Sequence, residues 1–249
     1  MHRFFLPPND FLQDSPVLKG PEAHHCLDVL RLRKGDRLVV FDGQGSEATA
    51  TIKAVGKGEV ELNSLLRSLT PRVPLELTLA QAIPKAKSLD WIIQKAAELG
   101  AACVAPLLSE RTVIQIDSNT AVKKQSKWEN IAIEACKQCG QNWVPRILLP
   151  SSPKNFLESL EPQDLLLIAS LQPDARRLKE VLAAYEREQG ILPSRVTILV
   201  GPEGDFTPAE LALAKSLGCH PITLGPIILR TDTAALYCLS ILSHELNGS

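Results

Sequence analysis

The chain has few aromatic residues, no long apolar run and almost no net charge. Aromatic side chains make up 4% of its 249 residues and apolar ones 45%, so the core must be mainly aliphatic. The longest late apolar run, 234–242, falls well short of the ~20 residues that a membrane helix needs. The apolar start at 4–6 is cut off by Pro7-Pro8 and is too short for a signal-peptide core. These absences predict a cytoplasmic protein with no membrane partner.

A net charge of −1 argues against a protein that binds nucleic acid over its whole surface, because non-specific phosphate binding needs a basic surface. The charge is unevenly spread, since acidic residues outnumber basic ones only after residue 150. We therefore expect any RNA-facing surface in the first two thirds of the chain. A homodimer could join basic patches from its two subunits.

The sequence contains little that indicates a metal, a phosphate loop or a dinucleotide. Cys136 and Cys139 have the spacing of half a zinc site or of a redox pair, but no second pair follows at zinc-module spacing. Packed or ordinary helix cysteines are the simpler interpretation, and we predict no metal. Neither GxxxxGK[ST] nor GxGxxG after the first strand occurs.

The pattern of apolar residues changes near Pro71-x-x-Pro74. Before it, strands at 37–41, 48–55 and 60–65 with an Asp-Gly turn at 42–45 predict a small β-barrel, preceded by a short helix at 21–30. After it, strands alternate with helices, which predicts a parallel sheet covered on both faces. The predicted strands are 76–82, 103–107, 147–149, 165–169, 196–200 and 222–224, and the predicted helices are 88–99, 123–139, 154–159, 174–189, 208–217 and 233–246. We predict two domains, 1–71 and 72–249.

Two strands of the second domain end at a Gly-Pro pair, one at Gly201 and one at Gly225. Ligands of open α/β sheets bind beyond the carboxyl ends of the strands, and glycine lets a ligand approach the backbone closely. If the two strands are neighbours, their loops predict a small-molecule pocket made largely of main-chain groups. For the tetrapeptide 201–204 taken alone, a tight strand-to-helix turn is the simpler interpretation.

These loops carry a resemblance that extends over nearly the whole chain. Its segments, in order, are His24-His25, 29–31 (VLR), Lys34-Gly35-Asp36, 85–100 (KAKSLDWIIQKAAELG), Ser109-Glu110-Arg111, Glu134-Ala135-Cys136, 200–204 (VGPEG) and 224–231 (LGPIILRT). Together they resemble the RsmE family, the 16S ribosomal RNA uridine-N3 methyltransferases of the SPOUT class. The resemblance implies an α/β methyltransferase domain with a C-terminal trefoil knot, after an N-terminal PUA-like RNA-binding barrel. Sequence rules alone give an ordinary doubly wound sheet, because knots are essentially absent from proteins.

The resemblance also implies the methyl donor S-adenosylmethionine and the residues that bind it. They are Leu171, Leu199, Gly201, Pro202, Gly204, Leu224, Gly225, Ile228, Leu229 and Arg230, with Ser170-Leu171 as a third wall. Asp205 stands where the family usually has a second glycine. Asp tolerates the left-handed backbone better than most residues, so we expect the turn to survive.

Three residues are predicted to carry the chemistry: Arg230, Glu203 and Asp232. Arg230 ends an apolar run, so it should face the RNA substrate or, alternatively, a structural carboxylate. Asp232 or Glu203 would accept the proton of uridine N3; Asp232 stands where the family usually has Glu. Two alternatives remain open. Asp232 or Thr231 would simply cap the last helix, or hydrogen-bond donors would stabilise the uridine anion without a side-chain base.

The predicted RNA-binding residues are basic and lie mainly in the first domain. They are Arg3, His24, His25, Arg31, Arg33, Lys85, Lys87 and Arg111, with Lys34 and Arg37 nearby. RNA enzymes hold unpaired, splayed-out bases with such groups, although an ordinary solvated charged face is the alternative. Lys137 and Gln141 depart from the family's EAxxQxGR segment, so we do not carry that segment's contacts over.

The function that follows is methylation of N3 of one uridine in 16S ribosomal RNA, free or in the small ribosomal subunit, by a homodimer. Two alternatives keep the fold: an enzyme that methylates another RNA position, and a catalytically silent RNA-binding assembly factor. A dinucleotide oxidoreductase is disfavoured because it would need the missing GxGxxG fingerprint.

Overall fold

The computed structural model describes residues 1–85, 88–113 and 116–247, which divide into two compact units. Unit 1 contains residues 1–72 and 133–144, and unit 2 contains 73–132 together with the chain from 145 onward. Residues 133–144 are thus remote in sequence from the rest of the unit in which they pack. No sequence pattern indicated this association.

Unit 1 is built on a five-stranded sheet in the order β1-β3-β4-β5-β2. Its strands are β1 (Arg3–Phe5), β2 (Val17–Leu18), β3 (Arg37–Phe41), β4 (Ser46–Gly56) and β5 (Glu59–Leu69), and its helices are α1 (Pro8–Phe11) and α2 (Gly20–His24), the latter continued by a π-helical turn, His25–Val29. β1 runs parallel to β3, and the other pairs are antiparallel. The predicted strands of this region are confirmed. β1, α1 and β2 went unpredicted because they are too short to show a period.

The β3–β4 hairpin shows how the sequence forms this sheet. Gly43 takes a φ of +74° in the Asp-Gly turn, and the Asp42 carboxylate accepts hydrogen bonds from the backbone N–H groups of Gln44 and Ser46 at 2.7 and 2.9 Å. Along β4, buried Ala48, Ala50 and Ile52 alternate with more exposed residues. Two register shifts between β4 and β5 add the local bends that curl a sheet around its core.

Charged side chains hold residues 133–144 in unit 1. The Lys137 ammonium donates to Glu22 Oε1 at 2.9 Å and to Glu134 Oε1 at 2.8 Å. Only 9% of the Lys137 side chain is exposed. The burial of Lys137 acts to lower its pKa, but the bonds to Glu134 and Glu22 outweigh this and raise it. Gln141 Oε1 accepts from the N–H groups of Asn142 and Trp143. Both departures from the family pattern are therefore structural residues here.

Arg3 also has structural partners, which argues against its assignment to the RNA surface. Its guanidinium donates to Glu47 Oε2 at 2.8 Å and to Asn142 Oδ1, and 14% of the side chain is exposed. The hydrogen bond from Arg3 holds the pKa of the Glu47 carboxyl below its usual value. The sequence does not show these contacts of Arg3, because Glu47 and Asn142 lie 44 and 139 residues away from it.

Unit 2 is a seven-stranded, wholly parallel sheet in the order β10-β12-β9-β11-β6-β7-β8. Its strands are β6 (Glu76–Ala82), β7 (Cys103–Leu107), β8 (Arg146–Ile147), β9 (Leu165–Ala169), β10 (Arg176–Arg177), β11 (Arg195–Val200) and β12 (His220–Thr223). Its helices are α3 (Ser88–Glu98), α5 (Pro153–Glu158), α6 (Leu178–Gln189), α7 (Pro208–Ser216) and α8 (Thr231–Asn247), together with α4 (Ser118–Cys139) as far as residue 132. The predicted parallel sheet is confirmed. No helix in the described ranges has both the length and the apolar character to span a bilayer.

The strand order corrects one expectation. β11 and β12, which lead into the two glycine loops, are not neighbours, because β9 pairs with both of them. The residues after β9, Ser170 and Leu171, which were predicted to form a third wall, therefore lie between the two glycine loops. Chain order could not show this, since β9 precedes both strands in the sequence. The predicted helix 174–189 also begins late, because residues 176–177 pair with β12 as an edge strand.

Candidate active site

A cavity of about 450 Å³ lies where β9, β11 and β12 end. Parallel strands bring their carboxyl ends to one edge of the sheet, so the three following loops meet there. The lining residues are Ala169, Ser170, Leu171, Val200, Gly201, Pro202, Glu203, Gly204, Asp205, Leu224, Gly225, Ile227, Ile228, Leu229, Arg230, Thr231 and Ala234. Every predicted cofactor residue except Leu199 is among them.

Leu199 does not line the cavity, because neighbouring strand residues face opposite sides of the sheet. It is fully buried in an aliphatic cluster that includes Ala80 and Ile168. Val200, the next residue along β11, lines the cavity instead. The assignment of Leu199 is therefore corrected by one position.

The first loop, 201–205, folds back on itself. Asp205 takes a φ of +61°, its N–H donates to the Pro202 carbonyl at 2.9 Å, and its Oδ1 accepts from the Phe206 N–H at 2.7 Å. A Cβ at Gly201 would lie 3.1 Å from Asp205 Oδ1, which is closer than most real contacts. The prediction that Asp205 preserves the turn is confirmed, and the turn itself leaves little room for a side chain at position 201.

Residues after β6 and β7 hold this loop from outside. The backbone N–H of Lys85 donates to Glu203 Oε1 at 2.9 Å. The Arg111 guanidinium donates to the Gly204 carbonyl, and a Cβ at Gly204 would lie 3.3 Å from Arg111 Cδ. Lys85 and Arg111 were predicted to contact RNA. Both remain exposed at their side chains, but the structure also makes them supports of the cavity loop.

The second loop, 224–230, presents apolar side chains to the solvent. Gly225 has a φ of +114°, and its N–H donates to Thr223 Oγ1 at 3.3 Å. Ile227 and Ile228 are 73% and 76% exposed, and Leu171 on the central loop is 59% exposed. Ligand pockets are typically lined in this way by apolar groups with a few polar ones. The arrangement offers a hydrophobic surface beside free main-chain groups.

The predicted chemical residues occupy different places around the cavity. Arg230 lines it, is exposed, and makes no ion pair with the part of the chain that the structure describes. The described residues thus offer no carboxylate for its structural salt-bridge interpretation. Glu203 also lines the cavity, whereas Asp232 does not. Asp232 Oδ1 accepts from the N–H of Thr233 at 2.7 Å.

The expected helix cap at Thr231 or Asp232 is wrong. α8 already begins at Thr231, and the Ala234 N–H donates to the Arg230 carbonyl at 2.8 Å, which puts Arg230 in the cap position. The Thr231 hydroxyl instead donates to the Gly201 carbonyl at 2.6 Å. The preceding helix does have a side-chain cap, a capping box between Thr207 and Glu210.

Gln81 is a residue of this site that the sequence prediction missed. It lies in β6 with no exposed surface, and its Nε2 donates to Thr231 Oγ1 at 3.0 Å. The available signal was a polar residue inside an otherwise apolar strand, because burying an amide is costly unless it is hydrogen-bonded.

The remaining predicted RNA residues lie in unit 1, apart from Lys87, which is outside the described residues. Arg31, Arg33, Lys34 and Arg37 are all exposed and form no ion pair with described residues. His24 is exposed and contacts Asp28 Oδ2 through Nδ1 at 2.7 Å. His25 is half-buried and packs edge-on against Phe4. An exposed basic segment, 31–37, is thus present. The ring of His25, in contrast, is half-buried against the core residue Phe4.

Of the CxxC pair, Cys136 is fully buried and Cys139 is exposed. Burial raises the pKa of the Cys136 thiol to about 12, which disfavours the thiolate needed for redox chemistry or metal binding. Within the described ranges, no group of three or more His, Cys, Asp or Glu is placed to hold a metal ion.

Comparison with known proteins gives this geometry a family. Residues 71–243 match the model of an RNA methyltransferase domain, and residues 18–63 match that of an RNA methyltransferase PUA domain. The chain is 31% identical to ribosomal RNA small subunit methyltransferase E of Bacillus subtilis, over 98% of this chain and 97% of that protein.

Two solved structures are similar over the same length. A putative methyltransferase of Legionella pneumophila, in complex with the bound cofactor SAM, is 34% identical with a TM-score of 0.86 and covers 98% of this chain and 97% of its own. Ribosomal RNA small subunit methyltransferase E of Neisseria gonorrhoeae, bound to S-adenosyl methionine, is 31% identical with a TM-score of 0.84 and covers 98% of both chains. With its SPOUT-type α/β domain and its PUA domain, the chain belongs to the ribosomal RNA small subunit methyltransferase E family of RNA methyltransferases.

Proposed function

We propose that this protein transfers the methyl group of S-adenosylmethionine to N3 of one uridine in 16S ribosomal RNA. The observation that carries the proposal is the cavity formed by glycine loops at the ends of β9, β11 and β12, in a chain whose full-length relatives are named as small-subunit methyltransferases. Three loops from one sheet edge make a pocket for a small molecule.

The cavity fits S-adenosylmethionine in size and in chemistry. Its volume of about 450 Å³ is within the range of small-molecule pockets. Leu224, Ile228 and Leu229 supply an apolar wall for an adenine ring. The backbone N–H groups of Gly204 and Leu229 form no hydrogen bond with the described residues, so they are available to a ligand. The residues that would hold the methyl donor are therefore the predicted ones, with Val200 in place of Leu199.

When bound, S-adenosylmethionine supplies an electrophilic methyl group on its sulfonium. The protein must then position the uridine and remove the N3 proton, since positioning supplies much of the rate of such a transfer. Arg230 is exposed at the cavity without an ion-pair partner among the described residues, so its planar fork is free to bind a phosphate or the base. It would also stabilise negative charge as the N3 proton leaves.

Glu203 is better placed than Asp232 to accept that proton. It lines the cavity, and the Lys85 N–H fixes one of its carboxylate oxygens. Asp232 lies outside the cavity lining and accepts from its own neighbour Thr233. We propose Glu203 as the general base and Arg230 as the substrate-binding residue.

We further propose that the RNA-binding domain, predicted as 1–71, also includes residues 133–144, which pack in unit 1, and that the rest of 72–249 forms the methyltransferase domain. The exposed segment 31–37 with His24 supports an RNA contact in unit 1, since basic groups bind the RNA backbone. We also propose that the protein works in the cytoplasm as a homodimer. The C-terminal trefoil knot stays a prediction from the family.

A catalytically silent assembly factor is the second function considered. Three departures from the family pattern, at Asp205, Lys137 and Gln141, would favour it, but the structure gives each of them a local role. Asp205 keeps the loop turned, while Lys137 and Gln141 bond within unit 1. None of them obstructs the cavity, which favours the enzyme.

The test is to map N3-methyluridine in 16S ribosomal RNA from cells that lack this gene and then regain it. We expect wild type and Arg187→Ala, an exposed arginine at the end of α6, to restore the modification. We expect Arg230→Ala to reduce it at least ten-fold, because the lost fork contacts the substrate. Failure of wild type to restore methylation would contradict the proposed reaction. S-adenosylmethionine must also raise the melting temperature of the protein if it binds the native state.

A further inference from the structure

The Gln81 amide has a fixed orientation in the core of unit 2. Its Nε2 lies 2.8 Å from the Ala82 carbonyl, 3.4 Å from the Val200 carbonyl and 3.0 Å from Thr231 Oγ1. Carbonyl oxygens only accept hydrogen bonds, so the nitrogen must be the atom that faces them. The flipped amide would place an oxygen against two acceptors.

This orientation in turn fixes the Thr231 hydroxyl. A hydroxyl has one proton to donate, and Thr231 Oγ1 already accepts from Gln81 Nε2. Its own proton goes to the Gly201 carbonyl, 2.6 Å away, because a carbonyl oxygen can only accept. The chain of bonds runs from β6, through the first residue of α8, to the first residue of the glycine loop.

Both ends of this chain of bonds matter for the cavity. Gly201 begins the first cavity loop, and Thr231 directly follows Arg230. The hydroxyl thus sets the distance between the loop and the end of the second loop. The affinity of a ligand that contacts both loops would therefore depend on that distance.

Stability alone does not account for an amide at this position. Gln81 Oε1 is buried without a hydrogen-bond partner among the described residues, and leaving a buried acceptor unpaired costs free energy. An apolar side chain in this strand would avoid that cost. We therefore explain the amide by the hydrogen bond that its nitrogen donates to the Thr231 hydroxyl.

We propose that Gln81 and Thr231 are positioning residues of the methyltransfer site. Gln81 holds the Thr231 hydroxyl as a donor to Gly201, and this bond pre-organises the two cavity loops for S-adenosylmethionine. The proposal rests on the proposed function for the identity of the ligand. The hydrogen bonds that hold the two loops are nevertheless present in the protein without ligand.

Thr231→Val tests the hydroxyl, and Thr197→Val is its matched control. Thr197 is fully buried, where Thr231 is 8% exposed. Its hydroxyl makes one bond, to Gln163 Oε1 at 3.0 Å, where that of Thr231 makes two, and it does not line the cavity. Both substitutions remove one buried hydroxyl, so we expect similar losses of melting temperature. Gln81→Met tests the amide with a side chain of similar length.

Two measurements are made on the purified full-length proteins: backbone hydrogen exchange without ligand, and the Kd of S-adenosylmethionine by calorimetry. We expect Thr231→Val and Gln81→Met to speed exchange in segment 201–206 and to raise the Kd about ten-fold, the loss of one hydrogen bond. The double variant should raise the Kd no further, because both substitutions act through the bond from the Thr231 hydroxyl to the Gly201 carbonyl. Thr197→Val should leave both readouts unchanged.

The proposal would be overturned if Thr231→Val left both the exchange rate in segment 201–206 and the Kd of S-adenosylmethionine within two-fold of wild type. Equal effects in Thr197→Val would also overturn it, because the role would then be general stability. If exchange changes as expected but wild type does not bind S-adenosylmethionine, the proposed function fails while the loop coupling stands.

Discussion

At the scale of single residues, the glycine at position 225 has a backbone that side chains rarely permit. Its φ is +114°, and a Cβ built there would meet nothing within 4 Å. A substitution would therefore strain the backbone without causing a clash. Because Gly225 lines the cavity, relief of that strain would change the geometry of the ligand site.

We predict that Gly225→Ala weakens the binding of S-adenosylmethionine at least ten-fold. The strained φ costs about 1–2 kcal/mol, which the loop can relieve by moving away from the ligand. Gly190→Ala is the control, because Gly190 also has a positive φ and open space but ends α6 away from the cavity. Calorimetry and urea unfolding of both variants would show whether the affinity loss is specific to position 225. An unchanged Kd in Gly225→Ala would contradict the role of this loop.

At the scale of elements, Lys137 joins the end of α4 to α2 within unit 1. Both Lys137 and Glu22 are largely buried, with 9% and 20% of their side chains exposed. Breaking a buried pair leaves one charge without its partner. The pair therefore helps to hold the last turns of α4 in unit 1, together with the buried side chains of Ala135 and Cys136.

We predict that Lys137→Met lowers the free energy of unfolding by about 3 kcal/mol, the lower end for a buried pair, because 20% of the Glu22 side chain is exposed. Lys127→Met is the control on the same helix, since Lys127 is 54% exposed beside Asp90. It should cost less than about 1 kcal/mol, as exposed pairs do. Urea denaturation followed by circular dichroism measures both. Equal losses in the two variants would show that Lys137 acts as a surface residue.

At the scale of the whole molecule, the Arg3–Glu47 pair makes unfolding depend on pH. The hydrogen bond from Arg3 lowers the pKa of Glu47 below the ordinary 4.5. A carboxyl with a lower pKa in the folded state stabilises the fold above its unfolded pKa. That stabilisation is lost as the pH falls through the folded pKa.

We therefore predict that the stability gap between wild type and Glu47→Gln is full above the ordinary pKa of 4.5 and closes as the pH falls through the lower pKa of the folded state. In an Arg3→Met background, the gap produced by Glu47→Gln should depend less on pH, since the largest cause of the lowered pKa is gone while the bonds from Asn142 and Ser68 remain. Urea unfolding of the four proteins across this range measures the gap. A gap of constant size from neutral to acidic pH would contradict the assignment.

The sequence by itself determined most of the elements of unit 2 and most of the cavity. Strands 76–82, 103–107 and 165–169 were predicted with their observed bounds, because continuous apolar runs between turn residues indicate buried parallel strands. The Gly-Pro pairs at 201 and 225 marked both outer loops for the same local reason. These features depend on neighbouring residues, which a sequence shows directly.

Only the tertiary structure decided what depends on residues far apart in the chain. It placed β9 between β11 and β12, moved Arg3 from the surface into a bond with Glu47, and exchanged Leu199 for Val200 at the cavity. It also connected Gln81 to Thr231 across 150 positions. Strand order and long-range hydrogen bonds follow from how the whole core packs, and no local pattern encodes them.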